Sequence, residues 1–242
     1  MVPIITALFP RLSAAAARGD LAGVRADLST GLRLAAVVTV FATTVVVVLA
    51  GPLLKAVLPT ASVEMIEVAI PVLQAMAPGL VALGATILVK RMYFALGDGR
   101  SVFVIQVLAT TVSVIVVLVA TWVLDFRWWT VAAAAAGSLA AWVSVLARVR
   151  GMRRKLGGID GHRVLRVYVR TGLASLVAGA AGLALMRLVD APAALTWVQA
   201  VAVTAGIGLV MVGVYLAGLR LMRVRELESA LGPLLRRLRR TR

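Results

Sequence analysis

Long uncharged runs alternate with short clusters of basic residues along most of the chain. Residues 34–54, 68–89, 101–124, 128–147 and 191–219 contain no Asp, Glu, Lys or Arg. A bilayer core about 30 Å thick takes about 20 apolar residues in a helix, so each of these runs predicts a membrane-spanning helix. The run 171–186 is shorter. Arg170 and Arg187 at its ends can snorkel, which extends this span to about 167–189. Val-rich stretches such as these suit strands in water, but a strand's open edge cannot be satisfied in lipid, so length decides for helix. The expected fold is all-α, a polytopic bundle of six transmembrane helices.

The first ten residues are uncharged but too short to cross, and Arg11 follows them instead of preceding them, unlike a signal peptide. Residues 1–13 read as the end of a membrane helix whose beginning is missing, an N-terminal partial helix, so Met1 is either a late start site or the edge of a piece of a longer chain. Over residues 14–30, with Leu32 just beyond, Leu21, Val24 and Leu28 recur at helical spacing against Arg18, Arg25 and Asp27, the pattern of an interfacial helix. Four spans then occupy 31–147, a basic loop 148–166, the last two spans 167–219 and a basic tail 220–242. Within the tail, Leu227, Leu231, Leu234, Leu235 and Leu238 form a stripe beside arginines, suited to anionic headgroups.

Composition sharpens the class. Hydrophobic residues make up 62% of the 242-residue chain and charged residues 15%, against about 45–50% and about 25% in soluble domains. A soluble enzyme is excluded. Without cysteine, and with His162 the only histidine, the chain offers neither a thiolate nor a histidine metal site. No pair of buried carboxylates and no Ser-His-Asp arrangement suggests catalytic residues, and no cofactor is expected.

Net charge is +16, and 23 of the 26 Lys and Arg residues fall on one side of the expected spans. The positive-inside rule then puts both termini in the cytoplasm. The same rule accounts for the basic clusters without nucleic acid as a partner; membrane lipid is the partner they fit.

Polar and helix-breaking residues inside the spans mark transport pathways. The second span holds Pro71, Pro78, Gly79 and, between the prolines, Gln74. A kink is expected there, with Pro71, Pro78 and Gly79 as hinge. Arg33, Gln74, Lys90 and Arg91 are the candidates for polar lining or for headgroup contact at the cytoplasmic mouth. Thr39, Thr43 and Thr44 can bond preceding carbonyls of their own helix, whereas Gln106 and Gln199 are harder to hide and should face protein or water. Ala174, Ala178 and Gly182 form a small-residue stripe that suits either close helix contact or a groove admitting a lipid chain.

Three stretches carry a family resemblance. They are Thr6-Ala7-Leu8-Phe9-Pro10-Arg11-Leu12-Ser13, Gly31-Leu32-Arg33-Leu34, and Arg91-Met92-Tyr93-Phe94-Ala95-Leu96-Gly97-Asp98-Gly99-Arg100. In order and spacing they resemble the C-terminal part of the MurJ/MviN lipid II flippases, although Ser101-Val102 stands where the family usually has Thr-Pro. The resemblance implies the C-terminal lobe of a MATE-like, MOP-superfamily flippase, a fourteen-helix, two-lobed alternating-access transporter. This chain would supply the end of the eighth helix and helices nine to fourteen. The substrate implied is lipid II or a similar polyprenyl-diphosphate glycolipid, carried across the bacterial cytoplasmic membrane. A single lobe should be incomplete alone, which makes this chain either a fragment of a longer protein or one half completed by a separately encoded N-terminal lobe as partner. Another lipid-linked oligosaccharide flippase, a multidrug exporter of the same superfamily, and a non-transporting scaffold for cell-wall assembly remain open alternatives.

Overall fold

Hydrocarbon offers no partner to backbone N–H and C=O groups, so a charge-free run of this length must satisfy them within itself, as a helix. A computed structural model describes residues 20–189 and 194–222. Among the described residues there are α1 (Leu21–Val48), α2 (Ala50–Val57), α3 (Val63–Ala95), α4 (Gly99–Val123), α5 (Trp129–Lys155), α6 (Gly161–Met186) and α7 (Trp197–Leu221), with a 3-10 turn at Phe126–Trp128 and no strand. All but α2 are long and apolar enough to cross a membrane, so the all-helical, six-span reading holds. The expected partial helix at 1–13 and the leucine stripe of the tail lie outside the described residues.

Element boundaries differ from the expected ones for local reasons. Asp20 caps α1 by accepting from the Gly23 N–H at 2.9 Å, and α1 then runs unbroken through the segment expected to lie in the interface. It ends at Val48 because Pro52 has no N–H to return to the Val48 carbonyl. The same proline falls harmlessly in the first turn of α2. The basic stretch 148–166 is mostly helix: α5 continues to Lys155 and α6 starts at Gly161. Gly157 and Gly158, both at positive φ (65° and 138°), make the turn between them.

The helices form a row in the order α4, α5, α3, α1, α6, α7, each packed on its neighbours, while α2 touches α3 and α7. One core lies toward the basic end, where Val24, Leu28, Leu88, Met92 and Met152 are buried. Polar ties close that end: Arg25 donates to the Leu156 carbonyl and Lys155 pairs with Asp98. A second core joins α1, α6 and α7. There the Tyr215 hydroxyl donates to the Val37 carbonyl at 2.7 Å, and its ring stacks on Phe41 with centroids 4.4 Å apart. The small-residue stripe of α6 serves this packing. A Cβ on Gly182 would stand 2.6 Å from Met211 Sδ and 3.1 Å from Val48 Cγ1, so close helix contact, not a lipid groove, occupies this face.

At the opposite end Trp122, Phe126, Trp128, Trp129 and Trp197 gather in an exposed aromatic belt, the side-chain type favoured at a membrane–water boundary. Trp197 Nε1 donates to the Ala56 carbonyl at 3.1 Å and Trp129 Nε1 to the Leu124 carbonyl at 3.0 Å, so these two indoles keep their polar atoms bonded.

Candidate functional site

Helix α3 stays a single helix across both prolines. Each still costs it a bond: Pro71 has no N–H for the Glu67 carbonyl, and Pro78 none for the Gln74 carbonyl. Around Pro78 the two flanking helices supply donors. Ser138 of α5 lies within hydrogen-bonding reach of two α3 carbonyls, Ala75 at 2.6 Å and Met76 at 3.1 Å. A hydroxyl carries one proton, so it serves one carbonyl at a time. From the other side Thr43 of α1 donates to the Ala77 carbonyl at 3.1 Å. Gln74 donates through Nε2 to the Val47 carbonyl in the last turn of α1, also at 3.1 Å.

Gly79 lets α5 come close: a Cβ there would lie 3.0 Å from Ser138 Oγ and 3.1 Å from Ser138 Cα. This break in the helix ladder is therefore flanked by side-chain bonds from both neighbours, each worth about 1 kcal/mol net. Beside it a cavity of about 540 Å³ opens between α1, α3 and α5, apolar except for Ser138. Thr39 and Thr44 bond their own helix as expected, to Ala35 and Val40. Thr43 does not; it crosses to α3.

The other sequence candidates lie elsewhere. Lys90 is exposed and Arg91 half-buried near the basic end of α3. The sixteen residues from Gln74 to Lys90 span about 24 Å of helix. Half-buried Arg33 folds back along its own helix, Nε donating to the Ser29 carbonyl and Nη2 to Thr30 Oγ1, both at 3.2 Å. Gln74 thus joins Pro78 and Gly79 at the break, while Arg33, Lys90 and Arg91 belong to the basic half.

The uncharged run that ends at Ala147 makes Arg148 read as the first charge of the basic loop. It lies instead inside α5, fully buried. Its Nη2 donates to Gln106 Oε1 of α4 at 3.1 Å, Nη1 bonds Ser144 one turn back, and Nε has no partner among the described residues. Gln106 meets protein through this one bond while its side chain is otherwise exposed. The visible signal was the Ser144–Arg148 spacing of one helical turn together with a glutamine on the preceding span. Gln199, by contrast, caps α7: its side chain accepts from the Thr196 N–H at 3.0 Å.

The segment 93–101 folds as a tight turn at the basic end. Gly97, at φ 71°, supplies the left-handed residue that ends α3. Asp98 caps α4 by accepting from the Ser101 N–H at 3.0 Å and pairs with Lys155. The bond from Lys155, then those from Ser101, hold the Asp98 carboxyl well below the usual carboxylate range, at about 2. Lys155 Nζ also sits 5.6 Å from the Tyr93 ring centroid.

A sequence model of one protein family, described as Lipid II flippase MurJ, matches residues 1–203 of this chain. No curated protein and no solved structure matches it.

Proposed function

This chain belongs to the MurJ lipid II flippase family, and from that premise we propose that it acts as one lobe of an alternating-access transporter for a polyprenyl-diphosphate glycolipid, lipid II foremost. A diphosphate sugar headgroup cannot cross hydrocarbon without groups that replace its water. The two faces of such a pathway must come from facing helix bundles, and the row of six spans supplies one. A second lobe supplies the other. The basic end, with both termini, faces the cytoplasm.

In this reading α3 bends at Pro78–Gly79. The Ser138 hydroxyl exchanges between the Ala75 and Met76 carbonyls, and Thr43 releases or regains Ala77, so the bonds beside the proline follow the change of angle. Gln74 offers a polar group at the break. Arg33, Lys90 and Arg91 meet the diphosphate at the cytoplasmic mouth, where charge-assisted bonds favour phosphate. The observation that carries the substrate class is the family match.

Translocation of labelled lipid II in vesicles tests the proposal. The chain reconstituted alone should bind lipid II in preference to other polyprenyl glycolipids and to cationic drugs, and should translocate little. Robust translocation by the chain alone would overturn the need for a second lobe. Preferential binding of cationic drugs would overturn the substrate class.

A further inference from the structure

Helices α5 and α6 are joined by the short turn 156–160, yet they dock on different partners, α5 on α3 and α6 on α1. The space they leave is a cavity of about 770 Å³, floored by α1 and α3, within the range of small-ligand sites. Its walls are apolar, with Trp142, Val145 and Val149 from α5 and Leu165 and Tyr168 from α6. Its rim is not: Arg153 and His162 are part of the lining, and Arg154, Arg163 and Arg166, close to them in sequence, are exposed. Asp160, the nearest acid in sequence, does not line the cavity.

We propose that this cavity binds an anionic phospholipid of the leaflet at the basic end, with an acyl chain between α5 and α6 and the phosphate at Arg153 and His162. The dimensions match. From Arg153 to Trp142 is eleven residues of helix, about 16 Å, and half of a hydrocarbon core about 30 Å thick is about 15 Å. A headgroup on the rim therefore lets one chain run the full depth of its leaflet along the apolar wall. A soluble anion would use the rim and leave the wall empty. A neutral lipid would use the wall and ignore the charges. Only a lipid with a net negative headgroup uses both. This site is separate from the break at Pro78 and does not depend on the chain translocating anything.

Trp142 makes the site readable. A chain with Trp122, Trp128, Trp129 and Trp197 changed to Phe keeps Trp142 as its one indole, in nanodiscs of phosphatidylcholine. Acyl-brominated phosphatidylglycerol should quench it at a mole fraction about fivefold lower than brominated phosphatidylcholine, the preference a single basic residue near an anionic headgroup provides. Arg153→Ala combined with His162→Ala should collapse the two curves together, and Arg153→Lys should keep them apart. Native mass spectrometry of the unaltered chain, counting retained phosphatidylglycerol against phosphatidylcholine with and without Arg153→Ala, reads the same preference with every tryptophan in place. Equal quenching by the two lipids overturns the proposal, as does a preference that survives loss of both rim residues. Displacement by inorganic phosphate overturns the assignment to a lipid. Displacement by an equimolar polyprenyl diphosphate makes the cavity a substrate station and overturns a separate site. Failure of the lipid II assay leaves all these readouts unchanged.

Discussion

The Tyr93 hydroxyl of α3 donates to the main-chain carbonyl of Arg148 on α5 at 3.1 Å, and it reaches that carbonyl through the gap left by Gly151. A Cβ on Gly151 would collide with the hydroxyl oxygen but stand an ordinary 3.6 Å from ring carbon Cζ. Tyr93→Phe should cost about 1 kcal/mol, the worth of one hydrogen bond. Gly151→Ala should cost about 1–3 kcal/mol, as overpacking does. With Phe at 93 the collision is gone, and Gly151→Ala becomes neutral or stabilising because alanine is the better helix former. A double-mutant cycle on unfolding in detergent measures this change of sign.

Buried Arg148 depends on Gln106. Gln106→Leu leaves a guanidinium N–H without an acceptor and should destabilise by about 1.5–3 kcal/mol. Arg148→Met removes the charge that needs the acceptor, so the double variant should be more stable than Gln106→Leu alone. The midpoint of thermal unfolding for the three variants checks the order.

Asp98 gives the basic end a pH dependence at the acid extreme. Its carboxyl titrates at about 2 when folded, held down by Lys155 and Ser101, against about 3.9 in an unfolded chain. A depressed folded value means the contribution is complete above about pH 4 and is lost as pH falls toward 2. Unfolding temperature should drop across that window in the unaltered chain. Asp98→Asn should lower it at neutral pH and flatten that part of the drop.

At the break, Gly79→Ala places a methyl group 3.1 Å from Ser138 Cα, main chain that cannot rotate away. It should destabilise by about 1–3 kcal/mol and slow translocation in the assembled transporter. Ser138→Ala should not rescue it, because the clash with the α5 main chain persists. Ser138→Ala alone should cost about 1 kcal/mol and change the translocation rate more than lipid II affinity, measured as vesicle flipping against binding.

Much of this architecture is readable in the sequence alone. Charge-free runs of the right length announce six helices, and Pro71, Gln74, Pro78 and Gly79 stand out because broken backbone and amide groups are costly in lipid. The braces around them are not readable. Thr43 and Thr44 are adjacent and chemically alike; only the angle of α1 against α3 sends Thr43 across to Ala77 and leaves Thr44 on its own helix. Ser138 sits in an alanine-rich run that says nothing of its partner. Arg148 reads as a loop charge because α5 outlasts its uncharged run.

The one-dimensional pattern determines which segments enter the membrane, since transfer of a helix into lipid is summed along the segment and needs no neighbour. It also determines where the charge collects, because positive residues stay on one side. Which helices touch, which hydroxyls bond the carbonyls beside Pro78, which arginine is buried, and where α5 and α6 part to leave a cavity were decided only by tertiary structure. Apolar faces are equally content against lipid or protein, so the sequence carries no hydrophobic contrast between them. Close packing of small residues and a few directional hydrogen bonds choose the neighbours instead.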